Sequence, residues 1–255
     1  MISSITYTAL PDLPLVEPGD DLISIIVEGV RRASLTVADG DVFVVAQKIV
    51  SKSENRYVNL TDVTPSMQAL ELAKVVGKDP RFIEVVLSES SEIVRCSRNV
   101  MIVAHRLGFV MANAGIDQSN IPHPEGGSRV LLLPKDPDAS SEKLRRGLCS
   151  AFGVDAGIVI NDSFGRPWRN GVVGVAIGSA GISSLRSMIG EPDLFDRAMR
   201  MTEIAVADEL AAAGSLVMGQ CAEGQPVVHV RGFSSPAPAS PALALVRPRG
   251  QDLFR

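Results

Sequence analysis

Cysteine and histidine are scarce in this chain, and the few present stand apart from one another. Cys96, Cys149 and Cys221 are odd in number and show no metal-ligand spacing, which argues against a disulfide framework and against a thiolate zinc site. They predict free, buried thiols in a reducing cytoplasm. His105, His123 and His229 are equally isolated, so a histidine-rich zinc centre is not indicated. No apolar run approaches the roughly 18 residues needed to span a bilayer. The N-terminal MISSITYTALPDLPLV lacks the basic and apolar regions of a signal peptide. The pattern GxxxxGK[ST] does not occur, so nucleotide phosphates must be held without a P-loop. An excess of positive charge is missing too. A formal charge of −4 with 45% hydrophobic residues fits neither a disordered chain nor a nucleic-acid binder with a basic surface.

What is present is length for one large domain or two small ones, 255 residues without an evident repeat. The organising stretch is GIVINDSFGRPWRNG, residues 157–171. Gly157 to Asn161 reads as a buried strand. Asp162 and Ser163 follow it, a carboxylate and a hydroxyl where ligands gather in α/β sheets. Arg166 and Arg169 are planar forks suited to phosphate or carboxylate oxygens. The glycine-spaced GVVGVAIGSAG then suggests a backbone that a ligand can approach closely. Oxygen donors beside anion receptors point to a metal-bridged phosphate site.

In chain order, Asp21 reads as the cap of a helix with Leu22, Ile25, Ile26, Gly29, Val30 and Ala33 on one face. Val42 to Ala46 is a strand of the buried type, with Lys48 and Lys52 after it read as ordinary solvated lysines unless a phosphate is near. Thr64-Pro65 starts a helix that Gly77 stops, and a short helix follows over 81–88. EIVRCS, VMIVAH and GFVMAN are adjacent strands, the last two joined as a hairpin through Arg106-Leu107-Gly108. This predicts a mixed α/β (α+β) fold with an antiparallel portion near 92–112, not a uniform Rossmann alternation. Asp117, Ser119 and Asn120 lie in a loop that offers oxygen and amide groups. A mobile loop is expected over 121–129 and a strand at VLLLP. Asp138 reads as the cap of a helix with Leu144, Leu148 and Phe152 on one face, leading to the strand before Asp162 as a βαβ unit. Asp193 is read as starting the strongest helix, with Phe195, Met199, Thr202, Val206 and Leu210 as its stripe, Gly214 as its end and Met199 and Met201 as core filling. Gly219-Gln220 and Glu223-Gly224 bound a polar loop between two apolar strands. The Pro/Ser/Ala-rich 233–255 is expected to add little to the core.

Taken together, LPDLPLVEPGDD, GDVFVVAQKIVSK, GFVMANAGIDQSN, LLLPKDPDAS, INDSFGRPWRNGVVGVAIG and VADELAAAGSLVMGQ closely resemble the coenzyme F420-0:L-glutamate ligase family. The match runs from residue 10 to 232 and is similar to the stand-alone form, without a fused nitroreductase-like domain. The resemblance implies a ligase domain over 1–232 with a tail over 233–255, and a cytoplasmic homodimer of intertwined subunits with parallel and antiparallel sheet portions. It implies GTP-dependent addition of L-glutamate to the lactyl carboxylate of F420-0, then further γ-linked glutamates. It also implies Mg²⁺ or Mn²⁺, with room for a monovalent cation, and no nucleic-acid or membrane partner. Asp117, Asp162, Ser163 and Gln220 match its metal positions. Leu13, Pro14, Leu15, Val16, Gln47, Lys52, Asn120, Met218, Gly219, Gln220, Cys221, Ala222 and Glu223 match its nucleotide positions. Arg166 and Arg169 are the candidates for contacting a phosphate or substrate carboxylate. Ala46-Gln47-Lys48 replaces residues that are often hydroxyl-bearing, and Asn161 replaces a small hydroxyl residue. Two other readings of the aspartates stay open: a metal-dependent phosphohydrolase, and a non-catalytic nucleotide or deazaflavin-binding module.

Overall fold

The structure, a computed structural model, describes residues 4–123, 128–235 and 237–253. The loop expected over 121–129 lies partly outside them. The elements in order are β1 (Thr6–Ala9), α1 (Leu22–Arg32), β2 (Val42–Ala46), α2 (Gln47–Ser53) and β3 (Tyr57–Asn59). Then come α3 (Met67–Val76), α4 (Pro80–Ser88), β4 (Ser90–Ser97), β5 (Val100–His105), β6 (Val110–Ala112), β7 (Arg129–Leu131) and α5 (Pro137–Phe152). The chain continues through β8 (Gly157–Arg166), β9 (Arg169–Ala180), β10 (Arg186–Ser187), β11 (Glu203–Ile204), α6 (Val206–Met218) and β12 (Val227–Arg231).

β2 and β8 are apolar on both faces, and that places them at the centre of the main sheet. The order is β1-β12-β2-β8-β9, with β2 and β8 parallel and every other neighbour antiparallel. Successive side chains alternate between the faces. Phe43, Val45, Ile158 and Ile160 meet α1 and α5, while Val42, Val44 and Val159 meet α6. Each such side chain, fully buried, contributes about 1.5–3 kcal/mol. A second core forms where α3 and α4 pack on the β4-β5-β6 meander, through Phe82, Ile83, Met101 and Val103. The fold is therefore mixed α/β with parallel and antiparallel pairing, and the antiparallel portion lies where the strand clustering put it. Among the described residues no helix is long and apolar enough to cross a membrane.

Several expectations are corrected. The parallel partner of β8 is β2; β7 pairs with β3 in a separate two-stranded sheet, so β7-α5-β8 is not a βαβ unit of one sheet. The cap of α5 is Asp136, whose side chain accepts from Ala139 N, because Pro137 occupies the first helical position where no N–H is needed. The cap of α3 is Ser66, not Thr64, for want of helical continuity through Pro65. Asp193 starts no helix. Its carboxylate accepts from the N–H groups of Phe195 and Arg197, the bonds of a capping residue used instead to close a turn. The helix begins at Val206 and ends at Gly219, with Gly214 inside it against Val44. Met201 is exposed, not core, and Cys221 is exposed, not buried.

The glycines of β9 serve helix packing. A Cβ at Gly174 would meet the carbonyl of Ala211 in α6, and one at Gly178 the carbonyl of Pro137 in α5. Helices, not a ligand, make the close approach. Because β9 is the sheet edge, its outward N–H groups need partners. Asp208 accepts from Ala176 N and Asp138 from Ser179 N. Asp138 also accepts from Ala242 N and Leu243 N, so the same carboxylate pins the tail. Ala242 is fully buried, Ser240 bonds Ser179 and Ser184, and Arg249 pairs with Glu92. The tail therefore contributes to the core, contrary to its composition.

Candidate functional site

The site begins where β2 stops. Ala46 is the last residue of β2 and lies opposite Asn161; the chain then turns directly into α2. β8 continues past that point, paired only with β9, and presents the half-buried Asp162 and Ser163 at the carboxyl end of the parallel pair. This is where open α/β sheets place ligands. A cavity of about 680 Å³ opens there. Its walls are Leu13 to Glu17, Ala46 to Ile49, Lys52, Asn120 to Pro122, Asn161 to Ser163 and the loop Met218 to Pro226. Volumes of this order hold a small-molecule ligand. Gly219, at φ 74° and ψ −177°, turns the chain out of α6 into that loop, which leads to β12. SLVM is thus the end of a helix, and the polar loop joins a helix to a strand rather than two strands.

Asp117 reaches the site from the second core. It follows Asn113, Ala114 and Gly115, all with positive φ (50°, 54° and 64°), and its backbone exchanges hydrogen bonds with Leu131 beyond the turn. Holding a non-glycine residue in that region costs about 1–2 kcal/mol, strain that a well-packed surround must over-determine. Ala114 is fully buried, which supplies that surround. Asp117 Oδ2 accepts from Gln47 Nε2 at 2.5 Å, and Oδ1 lies 2.5 Å from Lys48 Nζ. Gln47 is oriented in turn by Ser51 Oγ, which donates to its Oε1.

Asp162 feels Asp117 strongly. Burial first, then the neighbouring Asp117 charge, push its carboxyl up to about 7, against the Ser163 N–H, the Lys48 charge and the Gln47 amide. Ser163 Oγ donates to Gln220 Oε1 at 2.8 Å, and Gln220 Nε2 donates to Ser215 Oγ. Asn120 Nδ2 donates to the Cys221 carbonyl, tying the 113–120 segment to the 219–226 loop across the cavity. Burial and the Lys48 charge lower the pKa of Lys52, and among the described residues no carboxylate pairs with it.

Asp162, Ser163, Gln220 and all the expected nucleotide positions line the one cavity, and Asp117 stands behind its Gln47 and Lys48 walls, near enough for its charge to act on Asp162. Arg166 and Arg169 are not. They flank the Pro167-Trp168 turn at the tip of the β8–β9 hairpin, outside the cavity lining, and Arg166 Nη1 donates to the Gly171 carbonyl. Two residues were undervalued. Lys48 lies on a helix with Lys52 one turn on, a spacing that puts both on one face. Asn161 lines the cavity, is buried, and leaves its Oδ1 without a partner among the described residues. Those residues hold no cluster of three His, Cys, Asp or Glu side chains suited to a metal. The donors present are two carboxylates, a hydroxyl and an amide, the hard-oxygen set taken by Mg²⁺ or Mn²⁺ when phosphate and water complete the shell.

A parallel strand pair opening into a cavity lined by carboxylates and ammonium groups is the ligand-site arrangement of an α/β protein. The chain belongs to the F420-0:gamma-glutamyl ligase family, whose model matches residues 12–232. It is 43% identical over 256 residues to a coenzyme F420:L-glutamate ligase of Methanothermobacter thermautotrophicus, covering 98% of this chain and 99% of that one. It is 41% identical to the ligase of the same name from Methanocaldococcus jannaschii, over 96% of this chain and 94% of that one. The corresponding protein of Archaeoglobus fulgidus is 43% identical over 87% of this chain and 85% of its own length.

Proposed function

We propose that this protein joins L-glutamate to the lactyl carboxylate of F420-0 at the expense of GTP, and then adds further γ-linked glutamates. The observation that carries the reading is the cavity that collects Asp162, Lys48 and Lys52 around the end of the parallel pair, with Asp117 behind its Gln47 and Lys48 walls, in a chain of this family. A carboxylate does not form an amide with an amine unaided. Transfer of the γ-phosphoryl group to the carboxylate gives an acyl phosphate; the glutamate amine then attacks the acyl carbon and phosphate departs. The protein's part is to position anions and offset their charge. Lys52, lining the cavity and without a carboxylate partner among the described residues, suits the nucleotide phosphates, and the 13–16 and 218–223 segments frame the nucleoside.

The repelling carboxylates fit a divalent ion, because such an ion removes the repulsion that raises Asp162. Asp117, Asp162, Ser163 and Gln220 would hold Mg²⁺ or Mn²⁺, which supplies polarisation of phosphate oxygens. The protein acts as a homodimer in the cytoplasm. Leu194, Phe195 and Met201 are 98%, 74% and 88% exposed, apolar side chains that a second copy can cover.

The test is incubation of the purified protein with F420-0, GTP, Mn²⁺ or Mg²⁺ and glutamate, followed by product mass. The expected outcome is a ladder stepped by one glutamyl residue, with one GDP formed per step. Nucleotide cleavage without glutamate consumption would instead identify a phosphohydrolase, and binding without turnover a non-catalytic module.

A further inference from the structure

The two carboxylates at the site are not equivalent. Asp117 has both oxygens engaged by the first turn of α2, one by the Gln47 amide and one by the Lys48 ammonium, each at 2.5 Å. Asp162 has no ammonium or guanidinium within ion-pair distance among the described residues. The Lys48–Asp117 pair is no solvated surface contact, since the two side chains are only 26% and 20% exposed. Lys48 lines the cavity as well, and its charge acts on Lys52 and on Asp162. One aspartate thus carries its own counter-ion inside the ligand cavity, on a stem long and flexible enough to point elsewhere.

We propose that Lys48 is a displaceable counter-ion of Asp117: a divalent cation competes with it for the carboxylate, and the released ammonium moves to the nucleotide's phosphates. The proposal rests on the metal–nucleotide reading of this cavity. Its physical basis is charge balance. Lys48 and Lys52 repel across one helical turn, and phosphate oxygens can engage both ammonium groups at once. Asp117 would be left uncompensated by that movement unless a cation took the place of Lys48. Cation and nucleotide therefore favour each other's binding, and Lys48 is the element that links them. Bound alone, each leaves one charged group without its partner.

Lys48→Met removes the ammonium and keeps most of the stem. Mn²⁺ affinity is read by the paramagnetic resonance signal of free Mn²⁺ in the absence of nucleotide. Nucleotide affinity is read by calorimetry at saturating Mn²⁺, using a GTP analogue whose γ-phosphate cannot be transferred. The variant should bind Mn²⁺ about tenfold more tightly and the analogue about tenfold more weakly, within the usual span of coupled sites. Lys48→Arg should return both values towards those of the unaltered protein. A role in structure alone would weaken both. Lys48→Gln supplies the same two readouts where Lys48→Met fails to fold. Mn²⁺ affinity equal to or below that of the unaltered protein, or an unchanged affinity for the analogue, overturns the proposal. Absence of Mn²⁺ binding to the unaltered protein overturns the metal reading as well, whereas normal binding with an unresponsive variant overturns only the role of Lys48.

Discussion

Asp162 sets the electrostatics of the cavity. Its folded pKa, pushed up to about 7, stands above the ordinary carboxylate range that applies in the unfolded chain. Between roughly pH 4 and pH 7 the native state therefore binds the extra proton, and stability falls as pH rises through that window. Without metal, the stability of the protein relative to Asp162→Asn should drop between about pH 4 and pH 7, by an amount on the order of 1–2 kcal/mol, read by thermal melting. Saturating Mn²⁺ should abolish the drop, and a pH-independent difference without metal would contradict the assignment. Ligation by Asp162→Asn should fall sharply while folding survives. Lys52 makes a second prediction at this scale. Lys52→Ala should weaken nucleotide binding about tenfold, in keeping with loss of a charge-assisted hydrogen bond. Lys143→Ala, on the exposed face of α5, should leave it unchanged, with calorimetry as the measurement. Buried Asp41 shows the opposite electrostatics. Burial would raise it, yet bonds from Arg231 and His229 outweigh burial and hold it low, so its contribution is present above the usual carboxylate pKa and is lost in acid.

At the scale of elements, the loop after α6 depends on one backbone conformation. A Cβ at Gly219 would collide with the Glu223 side chain, in a φ region that disfavours L residues in any case. Gly219→Ala should cost about 1–3 kcal/mol and also weaken nucleotide binding, because the loop it launches forms a wall of the cavity. Gly40→Ala, with φ 82° but open space around the missing Cβ, should lose stability and keep its nucleotide affinity. Thermal melting and calorimetry on the two variants separate backbone strain from the loop's role. Three aspartates show the same limit at this scale, Asp138 and Asp193 having been expected to cap helices. Asp136, Asp138 and Asp193 all accept backbone N–H bonds, yet one caps a helix, one joins an edge strand to the tail and one closes a turn. Local sequence shows the acceptor and not which N–H it will meet. Asp138→Ala should free the tail, read as faster hydrogen exchange over 240–243 with little change in α5.

For the molecule as a whole, Leu194, Phe195 and Met201 leave large apolar side chains exposed in the stretch between β10 and β11, a surface that a second copy can cover. Light scattering at micromolar concentration should give twice the monomer mass, and Phe195→Asp together with Leu194→Asp should shift it towards one. A monomer mass for the unaltered protein would remove the dimer. The apolar strands, the helix over 22–32 with its Asp21 cap, the meander near 92–112 and the ligase family were all legible in the residues. Periodicity and capping act over a few positions, and the family's segments are long and ordered, so neither needs the fold to be read. Three-dimensional packing alone decided the rest. It paired β8 with β2, turned the β9 glycines towards helices, buried Ala242 from a tail of unpromising composition and kept Arg166 and Arg169 at a hairpin tip away from the cavity. It also set Lys48 on Asp117, far apart in the chain, since an ion pair between distant segments exists only once two cores have placed them within reach.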